Sequence, residues 1–212
     1  MSINSSKFNW KILILGIIIG LAVFAIANYF NNLPASVISE EIIQPVTFTI
    51  DANNHINGNY DASVDLVVFN DYTCEYCQDY ALSLEKLLQD NPNEVRVIWK
   101  HFPLNQNYYD AAIAAECAYE QGKFWEYSHE LYTHQDEYTN EFYLNTATNL
   151  DLELTQFSNC LTSDKYVAKI QADYYEGIMK GVLGAPATFI NGEYIPGVIP
   201  IERLESLVKG LK

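Results

Sequence analysis

The chain opens on an unbroken apolar stretch. Residues 12–27 carry no polar side chain, and after Asn28 the run takes in Tyr29 and Phe30. As a helix, residues 12–30 would extend about 28 Å, close to the roughly 30 Å of a hydrocarbon core. Trp10 and Tyr29 stand at its edges, Lys7 and Lys11 precede it, and the next basic residue is Lys86. The pattern predicts a single-pass transmembrane anchor over 12–30, a short cytoplasmic N-terminus at 1–11 and an extracytoplasmic remainder. Ala25-Ile26-Ala27 is also an A-x-A pattern. A cleaved signal peptide is therefore the alternative, and it delivers the domain to the same side. Residues 31–50 read as a linker, with weak alternation at 46–50 suggesting an edge strand. Residues 51–61 are turn-rich, and Asn57-Gly58 suggests a tight turn.

Beyond that point the pattern alternates between strand-like and helix-like periods. Residues 64–69 are largely apolar and β-branched, as a buried strand requires. Cys77, Tyr80, Ala81, Leu84, Leu87 and Leu88 then recur at three and four, which predicts a helix over about 75–89, ended by Asn91-Pro92-Asn93. Residues 95–100 form a second strand. Residues 105–180 hold no strand-like run. They divide into an alanine-rich helix around 111–118, another marked by Phe124, Trp125, Tyr127, Leu131 and Tyr132, and further helices near 139–149, 153–161 and 163–180. Thr139, Asp151 and Ser163 are the cap candidates. Residues 187–190 and 193–195 form a hairpin about Asn191-Gly192, and Pro200 opens a last helix. The fold class is α/β. A small sheet occupies 51–104 and 181–212, with a helical insert at 105–180.

Charge narrows the partners. The 212 residues hold 12 Lys and Arg against 27 Asp and Glu, a net charge of -15. Lys7 and Lys11 are the only charged residues in 1–30, so the rest carries 10 bases against 27 acids, or -17. Phosphate contacts need clustered cations, so no nucleic-acid partner is expected.

The candidate chemistry lies in Cys74-Glu75-Tyr76-Cys77. Two thiols at this spacing at a helix start can close a small disulfide. The helix N-terminus directs unpaired N–H groups at the first sulfur and favours its thiolate. Cys74 is then the exposed sulfur of lower pKa, and Cys77, one turn in, the buried resolving thiol. A zinc half-site and a passive structural disulfide are the competing readings. Zinc usually needs four ligands. Neither Cys117 nor Cys160 has a second ligand at metal spacing, and His55, His101, His129 and His134 form no matching pair. No metal and no cofactor are expected. Asp71 is a candidate for proton transfer to Cys77, or a turn residue. His101 is a candidate neighbour of the site, or an ordinary packed or surface residue.

The segment 69–77, from Phe69-Asn70-Asp71 through the C-x-x-C, resembles the active-site segment of the DsbA-like thiol-disulfide oxidoreductases of the thioredoxin superfamily. The resemblance continues through Lys100-His101-Phe102-Pro103-Leu104, Ala114–Ala118 and Gln121–Tyr127, and ends with Gly181–Gly192. It covers roughly 55–211, with the motifs in family order. It implies a thioredoxin fold interrupted by a helical domain, with a Cys74–Cys77 disulfide exchanged with folding proteins. Its implied partners are reduced or misoxidised extracytoplasmic proteins and a quinone-linked membrane protein that reoxidises the dithiol. It implies that Pro186 is a cis-proline beside the site, with the Ala185 backbone binding an extended substrate. Some relatives carry a second disulfide in the helical domain, so the resemblance also suggests a Cys117–Cys160 bridge; two buried free thiols are the alternative. This chain has Glu75 where strongly oxidising members have Pro, and Ala185 where Thr or Val is common. Glu75, Tyr76 and Asp71 are thus candidate redox-tuning residues. An isomerase or reductase role, or a non-enzymatic peptide-binding module, remains open at this level.

Overall fold

A computed structural model describes residues 10–31, 45–51, 53–105 and 109–211. The chain divides into two compact units, one up to Gln44 and one from Pro45 onward. In the first, α1 (Trp10–Asn31) is a 22-residue helix. Its described side chains, residues 18–29, are all exposed. Among the described residues, no helix is long and apolar enough to cross a membrane. Residues 1–9 of the predicted N-terminus (1–11) and 32–44 of the predicted linker (31–50) lie outside the described residues.

The second unit is built on one sheet. Its strands are β1 (His55–Gly58), β2 (Val64–Asn70), β3 (Val95–His101), β4 (Ala187–Ile190) and β5 (Glu193–Pro196). They lie in the order β1-β3-β2-β4-β5. β2 and β3 are parallel, joined by the crossover helix α2 (Glu75–Asp90), and the other pairs are antiparallel. A parallel pair needs such a long connection.

Strand alternation splits the sheet between two cores. Val64, Leu66 and Val68 of β2 face a larger core with Cys77, Tyr80, Leu84 and Leu87 of α2, and Leu204 and Val208 of α8 (Ile201–Gly210) join it. Val67 and Phe69 face the opposite core with Ile98, Phe102 and Phe189. Between β3 and β4 run α3 (Asp110–Tyr119), α4 (Phe124–Thr133), a 3-10 turn (Gln135–Glu137), α5 (Asn140–Asn149), α6 (Leu154–Leu161) and α7 (Val167–Met179). Residues 111–118 of α3 are all buried in the interior between the insert and the sheet. Alanine allows that close approach, and it has the highest helix propensity.

The structure corrects several local expectations. Residues 46–50 form no strand. Val46 N–H donates to the Gly192 carbonyl at 2.9 Å, and Phe48 lies edge-on to Phe189, their ring centroids 4.9 Å apart. Asn57-Gly58 is the end of β1, not a turn, with Gly58 opposite Arg96. Its φ is +104°, and a side-chain carbon there would collide with the Val95 carbonyl, so glycine is required by close backbone approach. The tight turn is at Asn191-Gly192, where both φ angles are positive, as a two-residue hairpin demands. Thr139 caps α5 by accepting the Phe142 N–H. Asp151 caps nothing; the Glu153 carboxylate caps α6 by accepting the N–H groups of Thr155 and Gln156. α7 starts only at Val167, and the Ser163 hydroxyl donates instead to the Cys160 carbonyl at 2.6 Å.

Candidate active site

Strand β2 delivers the chain to the site. Its last residue, Asn70, is followed by a tight turn closed by Asp71. The Asp71 carboxylate accepts the Thr73 N–H at 2.9 Å, the Thr73 hydroxyl at 3.0 Å and the Leu104 N–H at 2.8 Å. It thereby ties the ends of β2 and β3 together. Cys74 occupies the N-cap of α2 with extended backbone angles, and no side chain accepts the free N–H groups of the first turn. Its sulfur therefore meets the positive end of the helix. Cys77 follows one turn later, with its N–H on the Cys74 carbonyl at 3.0 Å.

The two sulfurs are both free thiols in unlike surroundings. Cys74, expected to be exposed, is only 8 % exposed and Cys77 is 0 %, so both are buried and Cys74 is merely the more accessible. A hydrogen bond from the Cys77 thiol is the main cause that lowers the Cys74 thiol to about 7; burial opposes it, and the Cys77 and Tyr76 N–H groups add to it. Burial pushes the Cys77 thiol far upward. The site can thus hold a thiolate on Cys74 near neutral pH while Cys77 keeps its proton.

Across from Cys74 lies the loop before β4. The Ala185–Pro186 peptide bond is cis, and the Cys74 thiol donates to the Ala185 carbonyl at 3.6 Å. Gly197 N–H donates to the Pro186 carbonyl at 2.9 Å. Tyr80 of α2 bonds Thr188 of β4 through their hydroxyls at 2.6 Å, which fixes the helix against that strand. The fold therefore brings Cys74, Cys77, Ala185 and Pro186 into one place from segments more than 100 residues apart in sequence.

The remaining candidates separate. Glu75 and Tyr76 are exposed in the first turn of α2. The carboxylate charge that pushes most on the Cys74 thiol is that of Asp71. Cys117 of α3 and Cys160 of α6 form a disulfide, 43 residues apart, within the insert. His101 is buried core. Two histidines that no sequence spacing pairs are brought together by the fold. His55 Nε2 and His101 Nε2 meet Glu116 Oε1 at 2.8 and 2.7 Å. This trio is the one metal-capable cluster among the described residues. Lys169 Nζ lies 2.9 Å from the same oxygen. In the structure that oxygen takes both imidazole hydrogen bonds and the ammonium, while Glu116 Oε2 and His55 Nδ1 are buried without a hydrogen-bond partner.

Sequence reasoning missed the groups that hold the turn from the insert's side. The Gln135 side-chain amide donates to the Tyr72 carbonyl at 2.8 Å and to the Cys74 carbonyl at 3.0 Å. Tyr72 itself bonds Ser128 through their hydroxyls at 2.7 Å. A polar residue in a short turn 61 positions after Cys74 gives no sequence signal.

A family model described as thioredoxin matches residues 51–210. The chain belongs to the thioredoxin family. Among solved structures, this thioredoxin-family chain is similar to a thioredoxin-like oxidoreductase from Silicibacter pomeroyi, 25 % identical, with a TM-score of 0.68 over 76 % of this chain and 92 % of that one. Its fold is also that of the thiol-disulfide exchange protein alpha-DsbA2 from Wolbachia pipientis, 23 % identical, with a TM-score of 0.69 over 76 % and 89 % of the two chains. The domain over 51–210 thus has the thioredoxin fold. A curated relative from Salinispora tropica, named Na(+)/H(+) antiporter NhaA 3, is 35 % identical over 80 % of this chain. The chain spans less than a third of the length of the curated relatives it matches, 26 % of that one and 29 % of one from Mycolicibacterium vanbaalenii.

Proposed function

We propose that this protein is a membrane-anchored, extracytoplasmic oxidoreductase that exchanges a Cys74–Cys77 disulfide with folding proteins. The observation that carries the proposal is a helix-capping Cys74, with its thiol lowered to about 7, facing the Ala185 carbonyl while Cys77 lies buried beside it. In the oxidising direction, a client thiolate attacks Cys74 Sγ. A mixed disulfide forms, the Cys74–Cys77 bond breaks, and Cys77 leaves and takes up a proton. A second client thiolate then attacks the client sulfur of the mixed disulfide and releases Cys74 as thiolate. The client loses two electrons and the dithiol gains them; a quinone-linked membrane partner would remove them. Ala185 and Pro186 would present backbone to an extended client chain. The apolar run at 12–30 after Lys7 and Lys11 supports the anchor and the orientation.

A second reading concerns direction. A thiol near 7 matches thioredoxin-type sites (about 7) rather than strongly oxidising DsbA sites (about 3.5). That poise favours a reductase or isomerase of misoxidised clients. Equilibration of the dithiol with glutathione, followed by mass analysis, decides between the two. A potential near that of thioredoxin supports the reductase reading, and one near that of DsbA supports the oxidase. A peptide-binding module without redox role would keep its cellular function in a Cys74→Ser, Cys77→Ser protein, which would sink both. Recovery of the full-length chain in the soluble fraction after carbonate extraction would sink the anchor.

A further inference from the structure

We propose that Gln135 is a positioning residue of the dithiol, acting from the helical insert; the inference rests on the redox reading above. One primary amide has two N–H hydrogens, and Gln135 places both on main-chain carbonyls of the active-site turn, those of Tyr72 and Cys74. Tyr138 cannot replace it at Tyr72. Its hydroxyl has a single hydrogen, and the Leu131 carbonyl at 2.6 Å is closer than the Tyr72 carbonyl at 3.0 Å.

Planarity of the peptide gives these bonds their consequence. The Cys74 carbonyl belongs to the same rigid unit as the Glu75 N–H, so fixing the direction of one fixes the other. The Cys74 carbonyl also accepts the Cys77 N–H, and the Cys77 and Tyr76 N–H groups favour the Cys74 thiolate. Gln135 therefore holds in place the peptide unit from which the first turn of α2 departs, and with it the N–H groups that face the sulfur. Without Gln135 the Cys74 carbonyl keeps only the Cys77 N–H and the Tyr72 carbonyl only the longer Tyr138 contact, so the turn gains freedom to rotate and the thiolate loses part of its support.

The insert contains a matched control. Gln121 also bonds main chain twice, accepting the Glu153 N–H at 2.7 Å and donating to the Glu153 carbonyl at 3.3 Å, in a turn that holds no thiol. The test compares Gln135→Met and Gln121→Met in the full-length protein. Both keep side-chain length and remove the amide. Circular dichroism and thermal melts report folding, iodoacetamide labelling against pH reports Cys74 ionisation, and oxidised glutathione is the exchange probe. Gln135→Met is expected to fold, to raise the pH midpoint of Cys74 labelling, and to slow exchange about two- to fourfold at pH 6. The thiolate fraction falls faster there than nucleophilicity rises. Gln121→Met is expected to melt earlier with both redox readouts unchanged. Gln135→Glu, a carboxylate with no N–H at pH 8, should shift the labelling midpoint in the same direction and further.

An unchanged midpoint in a folded Gln135→Met, or equal redox changes in Gln121→Met, overturns the inference. So does loss of the folded state in Gln135→Met, since a positioning residue leaves the fold standing. If the wild-type protein fails to exchange with glutathione, the redox reading fails, while the labelling midpoint still judges Gln135.

Discussion

Two helices of this protein each carry a buried cysteine beside polar machinery, and they use it in opposite ways. At the start of α2, Cys74 and Cys77 are free thiols, one at a helix cap and one beneath it. In the last turn of α3, Cys117 is bonded to Cys160, and its neighbour Glu116 is clamped by two histidines and Lys169. Cys74 has no side-chain cap competing for the first-turn N–H groups and an open carbonyl opposite. Glu116 and Cys117 lie in the last turn of their helix, where backbone N–H groups are already spent on the helix. Position along a helix decides whether a buried sulfur is poised to react or to brace.

The contrast breaks most readily at Cys74. Cys74→Ser should reduce exchange with glutathione to background, whereas Cys117→Ala with Cys160→Ala should leave it within about twofold, since the bridge takes no part in the transfer steps. Loss of exchange in the double alanine protein, measured on folded material, would erase the division of labour.

The second expectation is the reverse in stability. Closing a 43-residue loop is worth about 4 kcal/mol on the chain-entropy account. Urea unfolding of the double alanine protein should show a loss of that order, and Cys74→Ser a much smaller one.

Glu116 sharpens the structural side further. Burial alone would push its carboxyl up, but hydrogen bonds from His101 and His55 outweigh burial and hold it far below the ordinary carboxylate range. Burial lowers the His55 imidazole against the pull of Glu116. In both cases the unfolded chain binds the proton more readily. Stability therefore falls as pH drops below about 6.5 for His55 and below about 4.3 for Glu116. Urea midpoints at pH 7, 5.5 and 4 should decline in that order. Glu116→Gln should cost about 3 kcal/mol at pH 7, because it leaves Lys169 and two ring N–H groups without their anion. A flat profile would mean the cluster is hydrated.

The smallest effect is at Glu75. A carboxylate next to a developing thiolate raises its pKa, and Glu75→Gln should lower the labelling midpoint of Cys74 slightly. Glu75 is exposed and solvent-screened, and Asp71 exerts the stronger push, so the change should be well under tenfold in rate at fixed pH. A larger change would make Glu75 the main tuner of the site.

Periodicity carries its own instructions, which is why much of the molecule was legible early. Residues 64–70 form a strand because β-branched side chains fill a two-sided interior, and 75–90 a helix because apolar groups recur along one face. The dithiol was legible for the same reason, since a C-x-x-C at a strand-to-helix boundary is local information. The edge element was not. His55–Gly58 has no alternation, and it is a strand because β3 offers it a ladder and Glu116 receives His55.

What the sequence by itself determined is therefore the order of elements, the helix-capping cysteine pair and the acidic balance of the chain, all properties of neighbours along the chain. Only the tertiary structure decided which distant groups surround that pair: the Ala185 carbonyl, Thr188 beneath Tyr80, and Gln135 on the turn. Their hydrogen bonds span 61 to 111 residues. A contact of that span depends on how whole elements dock, and no local spacing encodes it.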